Sequence, residues 1–114
     1  MARPIIIDTD PGVDDAVAIL LALASPELEV LGLTAVAGNV PLGKTAHNAR
    51  AILELAGRPE IPVHPGCPRP LGPTRLDAAR SHGSSGLGDL VLPEPAHPPR
   101  PAHGVPWLLS LIHI

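Results

Sequence analysis

The stretch Ile5-Ile6-Ile7-Asp8-Thr9-Asp10-Pro11-Gly12-Val13-Asp14-Asp15 decides how the rest of the chain reads. A β-branched run ending in Asp, then Pro-Gly, then an apolar segment predicts a strand, a tight turn and a helix. Four carboxylates, Asp8, Asp10, Asp14 and Asp15, fall within eight residues. Two carboxylates about 4 Å apart repel by roughly 4 kcal/mol at the effective dielectric of a protein surface, so gathering several calls for protons or a cation. Asp10 stands at the carboxyl end of the predicted strand, and open α/β sheets bind ligands in the crevice beyond those ends. Helix capping is the competing account, since Asp in a first turn satisfies free backbone N–H groups and suits the positive end of the helix dipole. Capping covers Asp14 and Asp15 but not Asp8 and Asp10; Asp8 taken by itself reads as structural.

The cluster offers hard oxygen donors with no neighbouring Cys or His, which suits Ca²⁺, Mg²⁺ or Mn²⁺ and argues against zinc. An EF-hand loop is excluded, because Gly12 stands where its fifth position needs an acid or amide.

The run DTDPGVDDAVAI resembles the amino-terminal signature of the inosine-uridine preferring nucleoside hydrolases. Two further motifs follow in the family's order: Ala37-Gly38-Asn39, and His82-Gly83-Ser84-Ser85-Gly86-Leu87-Gly88, which is similar to the family's HGxxGLG loop. The resemblance implies hydrolysis of the N-glycosidic bond of a ribonucleoside to ribose and free base. It implies Ca²⁺ held by Asp10 and Asp15, a bound water that gives its proton to Asp10 as general base, and ribose hydroxyls on Asp14. It places Asn39 at the substrate and His82 beside the nucleobase, able to protonate the leaving group. Read without it, Asn39 is equally a turn residue tolerant of positive φ, and His82 a solvated loop side chain.

The resemblance further implies a homo-oligomer in the full-length form and a chain well under half the family length, so 114 residues read as an incomplete fragment. The family's later calcium ligands and its carboxy-terminal His-Asp pair fall outside it. Two other functions stay open. One is a non-catalytic fragment that binds a cation or ribose. The other is a phosphatase of the haloacid dehalogenase type, whose Asp-x-Asp pattern expects Thr or Val where Gly12 stands.

Working outward, Asp14 to Ala24 predicts a helix apolar nearly all round, the pattern of one buried between layers. Leu28 to Val36, broken mainly by Glu29 and Gly32, predicts a parallel strand covered on both faces. After Pro41, Leu42 to Ala56 predicts an amphipathic helix ended by Gly57, with His47 and Asn48 read as polar surface positions. Ile61 to His64 predicts a short strand that Pro62 and Pro65 assign to an edge or irregular course. This β-α-β-α-β order gives a Rossmann-like three-layer α/β/α fold with a mostly parallel, incomplete sheet. Residues 1–114 read as a single truncated domain: a core over 1–66, a Pro/Gly-rich loop region over 67–106, and the start of a helix with an atypical end over 107–114. Pro59 to Pro106 holds 12 of the 16 prolines, so regular structure there should be sparse and the segment looped or mobile.

Composition narrows the classes. Of 11 acids and 8 bases, residues 1–39 carry six acids and one base, so the cation belongs at the front. No clustered basic face is available for nucleic acid, and Trp107 is the only aromatic for stacking. The single Cys67 excludes an internal disulfide, fits a reducing compartment and reads as a small loop or buried side chain. Ala16 to Ala24 is apolar, but acids rather than bases precede it, and it falls short of the roughly 20 residues that span a bilayer. The chain therefore reads as soluble and cytoplasmic, with no membrane partner.

Overall fold

Arg3–Thr9 forms strand β1, Val13–Ala24 helix α1, Leu28–Ala35 strand β2, Leu42–Leu55 helix α2, Val63–Pro65 strand β3 and Gly104–Ile112 helix α3 in the computed structural model, which describes residues 1–72, 83–88 and 90–112. The three strands make one sheet in the order β1-β2-β3, and both pairings are parallel. Parallel neighbours need a crossover, and α1 and α2 provide the two. The register sets Asp8 opposite Thr34 and Thr9 opposite Ala35, then Ala35 opposite Pro65. Beyond the ladder, the Val36 N–H donates to Thr9 O at 3.0 Å and the Gly66 N–H to Ala35 O at 2.7 Å. The carboxyl ends of all three strands thus finish side by side.

The core lies between the sheet and α2. Leu33, Ala35, Ala49, Ile52, Leu53 and Val63 are buried there, and Ile19 is the one residue of α1 buried with them. Amphipathic spacing explains α2: Thr45, Ala46, Asn48, Ala49, Ile52 and Leu53 recur at helical intervals along one stripe. The helix ends in a Schellman motif, with the Gly57 N–H donating to Glu54 O at 3.0 Å and the Arg58 N–H to Leu53 O at 2.9 Å.

Two expectations are corrected. Helix α1 is not buried between layers: Val13, Val17, Leu20 and Leu21 are all exposed. Its apolar composition states how much surface it can bury, whereas actual burial needs a second partner, and the described residues cover only the Ile19 side. Asn48 is not a surface residue either; it is 3% exposed and inside the α2 core stripe.

The Pro-rich stretch carries no strand or helix between Gly66 and His103 among the described residues, yet its second half is pinned rather than loose. Glu54 accepts the N–H groups of Ala96 and His97, each at 2.9 Å, Arg50 Nη1 donates to His97 O at 3.2 Å, and the Arg100 N–H donates to Val63 O at 2.9 Å. The backbone N–H groups of His97, then of Ala96, hold the Glu54 carboxyl below its ordinary value. Helix α3 docks by Trp107, whose ring stacks on buried His64 at 4.3 Å and lies over Gly32, while His64 Nδ1 pairs with Ala102 O at 2.9 Å. Pro62 precedes and Pro65 ends a strand at the edge of the described sheet.

Candidate active site

The turn between β1 and α1 meets the end of β2 where the strands finish. Asn39 makes the junction. Its backbone N–H donates to Asp10 Oδ2 at 2.8 Å, and its side-chain Nδ2 donates to Asp10 O at 2.9 Å and to Asp15 Oδ2 at 3.4 Å. One residue from the second strand end therefore ties together a carboxylate from the first strand end and another from the helix start.

Gly38 makes the approach possible. A Cβ there would fall 2.0 Å from Asp10 Oδ2, so any side chain would drive the Asp10 carboxylate out of its position. Asp15 is the third residue of α1 after its cap and accepts the Gly12 N–H at 3.2 Å, the reaching-back half of a capping box. Capping is thus real for Asp15. It engages Oδ2, the same oxygen that faces Asn39, and leaves Oδ1 for another partner. Asp14 is exposed in the first turn of α1, beside this cluster but outside its hydrogen bonds. Asp8 points elsewhere: it accepts the Thr34 hydroxyl across the β1–β2 ladder, so its role is structural.

The glycine-rich loop lies against the same turn. Asn48 Nδ2 donates to Pro11 O at 3.3 Å and to Ser85 O at 2.7 Å, and Lys44 Nζ donates to Ser84 O at 2.7 Å. His82 falls outside the described residues. His47 pairs with Glu94 at 2.9 Å on the outer side of α2, as a surface position should. Cys67 is exposed in the loop after β3. Asn48 is the residue that sequence reasoning missed, although the signal was available: a lone amide within a stripe of small and apolar residues must find buried partners.

Hard divalent cations take six to eight oxygen ligands, or an octahedron completed by water. Asp10 and Asp15 supply donors of that kind, and no group of three or more His, Cys, Asp or Glu suited to a metal occurs among the described residues. The chain's own carboxylates fit a hard cation in kind, as two of the oxygen donors such a shell would need. No helix among the described residues is long and apolar enough to cross a membrane.

Comparison with known proteins gives this arrangement its context. The family model for the inosine-uridine preferring nucleoside hydrolases matches residues 5–113. The chain is 50% identical over 112 residues to a pyrimidine-specific ribonucleoside hydrolase RihA of Photobacterium profundum, covering 98% of this chain and 36% of that protein. It is 50% identical over 108 residues to an uncharacterised protein of Schizosaccharomyces pombe, covering 95% of this chain and 35% of that one. Among solved structures, a purine-preferring ribonucleoside hydrolase from Gardnerella vaginalis superposes with a TM-score of 0.91 at 33% identity, over 97% of this chain and 36% of that chain. A plant nucleoside hydrolase superposes with a TM-score of 0.88 at 39% identity. The chain thus spans about a third of the length of the relatives it matches. With the parallel sheet, the Asp-rich turn and a family match running almost from end to end, the chain belongs to the inosine-uridine preferring nucleoside hydrolase family.

Proposed function

We propose that the protein serves hydrolysis of the N-glycosidic bond of a ribonucleoside, releasing ribose and free base, at the cluster built on Asp10, Asp15 and Asn39. The observation that carries this reading is the convergence of Asn39 on both carboxylates, at the ligand-binding end of a parallel sheet. Asp10 and Asp15 would hold a hard divalent cation, which their oxygen donors suit and which the family resemblance makes Ca²⁺. Such an ion, when bound, acidifies water in its shell and screens the repulsion between the carboxylates.

Asp10 is the general base. Its Oδ2 is held by the Asn39 N–H, which orients the carboxylate and leaves Oδ1 to take the proton from the attacking water. Asn39 keeps the two carboxylates in register, and its amide oxygen would accept a sugar hydroxyl. Asp14, exposed at the start of α1, binds ribose hydroxyls. Positive charge grows on the sugar as the glycosidic bond breaks, and the surrounding carboxylates stabilise it. The leaving base needs a proton, for which His82 is this chain's candidate donor. The relatives' names include both a pyrimidine-specific and a purine-preferring hydrolase, so we leave the base at the level of ribonucleosides. A cytoplasmic location and a homo-oligomeric full-length form complete the proposal.

The test is ribose release from inosine and from uridine by the purified chain, with Ca²⁺ and after chelation. Turnover lost on chelation and in Asp10→Asn supports the reading. Turnover unchanged in Asp10→Asn contradicts it, and no turnover with either nucleoside favours a non-catalytic cation- or ribose-binding role for the chain by itself.

A further inference from the structure

Asn48 lies on α2 and is 3% exposed, within the stripe of buried residues along that helix. A buried amide has strong hydrogen-bonding needs, and leaving its partners bare is costly. Both bonds from its Nδ2 go to loop carbonyls: Pro11 O, in the turn that carries Asp10, Asp14 and Asp15, and Ser85 O, in the glycine-rich loop. Those two segments are 74 positions apart in sequence by the numbering of Pro11 and Ser85. Gly86 seals the junction. It has φ +94°, which L side chains rarely adopt, and a Cβ there would stand 2.8 Å from Asn48 Nδ2, 3.0 Å from Val40 Cγ2 and 3.3 Å from Pro11 O. The loop backbone therefore presses directly on the amide that holds the turn. Lys44 adds a second staple to Ser84 O, but it is exposed and reaches the loop alone.

We propose that Asn48 is a positioning residue that locks the Pro11–Gly12 turn and the 83–88 loop into one register, so that the site carboxylates and the loop move as a unit. The inference rests on reading that turn as the active-site turn. It acts through Pro11 O and Ser85 O and touches no reacting atom.

The experiment is amide NMR with hydrogen exchange on the 114-residue chain, comparing wild type with Asn48→Leu, which keeps the volume and removes both bonds. The expected result is displaced Gly12 and Asp15 signals together with those of Gly86 and Leu87, and about tenfold faster exchange at Gly86, the scale of one buried hydrogen bond. Signals of Leu33 and Ile52 in the core stay in place. Lys44→Met, as a control, displaces the loop signals only. A space-filling role for Asn48 would leave Gly12 and Asp15 unmoved in Asn48→Leu, and that result overturns the proposal. Should Asn48→Leu not fold, Gly86→Ala decides: its Cβ must press on the amide and displace Gly12 and Asp15, and changes confined to residues 83–88 overturn the proposal. A Ca²⁺ titration of the same wild-type sample separates the two levels, because absent binding counts against the metal-site reading, while the coupling between turn and loop is read without any cation.

Discussion

Helices α1 and α2 are the two crossovers of one sheet, and the more apolar of them is the less buried. Helix α1 reads Val-Asp-Asp-Ala-Val-Ala-Ile-Leu-Leu-Ala-Leu-Ala and buries only Ile19, while α2, with Lys44, Asn48, Arg50 and Glu54, buries seven residues. Composition measures what an element is able to bury; topology decides what it does bury. The α2 face meets β2, β3 and the loop after them, whereas α1 meets β2 and α2. The comparison also locates the site. Helix α1 delivers Asp14 and Asp15 from its first turn, and α2 delivers Asn48 from its core stripe to brace that turn.

Several substitutions sharpen or break the contrast. The largest expected effect is Leu53→Ala, a fully buried leucine on α2, which should lower stability by about 2–5 kcal/mol in denaturant unfolding. Leu21→Ala on α1, 67% exposed, should cost about 0.5 kcal/mol or less in the same assay. Equal losses at the two positions would mean that α1 is packed as tightly as α2, against the burial seen here.

Next in size is Gly38→Ala, where the added Cβ drives Asp10 from its place. Overpacking of this kind costs about 1–3 kcal/mol. Calorimetry should show Ca²⁺ binding weakened at least as much as stability, while Gly43→Ala, within α2 and with open space at its Cβ, leaves binding unchanged and does not lower stability.

A smaller, local effect is set by Glu54. Its carboxyl is held below the ordinary 4.5 by the His97 and Ala96 N–H groups, so its grip is complete above that value and is lost as the pH falls through the lowered one. Amide signals of Ala96 and His97 should move together with acidification below about pH 4.5, and in Glu54→Gln this titration should vanish. The smallest expected change in stability belongs to the double substitution Val17→Lys, Leu21→Glu on the exposed face of α1. It should lower self-association in light scattering and leave the unfolding midpoint close to wild type.

Much of this architecture was legible from local pattern. The run Ile5 to Ile7 before Asp8, the Ser25-Pro26 stop and the stripe through Ala46, Ala49, Ile52 and Leu53 announced β1, the end of α1 and all of α2 to within a residue or two. Strand β3 is Val63–Pro65, shifted from the expected Ile61 to His64, because Pro62 brings no N–H to the ladder before it and Pro65 is taken in as its last residue. That Asn39 lies beside Asp10 followed from parallel neighbours whose carboxyl ends align, whereas its bond to Asp15 had no signal in the sequence.

What was not legible depends on partners distant in sequence. Whether α1 is covered cannot be read from α1. The pinning of Ala96 and His97 depends on Glu54, 42 and 43 positions away, with no local signature. Asn48 was passed over because a single polar residue near a helix start looks solvated until the loop that needs its amide is in place. Trp107 gave no hint of His64 and Gly32, the pair on which α3 docks.

On the function proposed above, the turn after β1 makes a cation-dependent site of Asp10 and Asp15. Calorimetric titration of Ca²⁺ into the folded chain, with Asp10→Ala and Asp15→Ala alongside, tests it most directly. Saturable binding to the wild type should disappear in both variants while their unfolding remains cooperative. Binding that persists unchanged in Asp10→Ala, or a folded wild type that takes up no Ca²⁺, would contradict it.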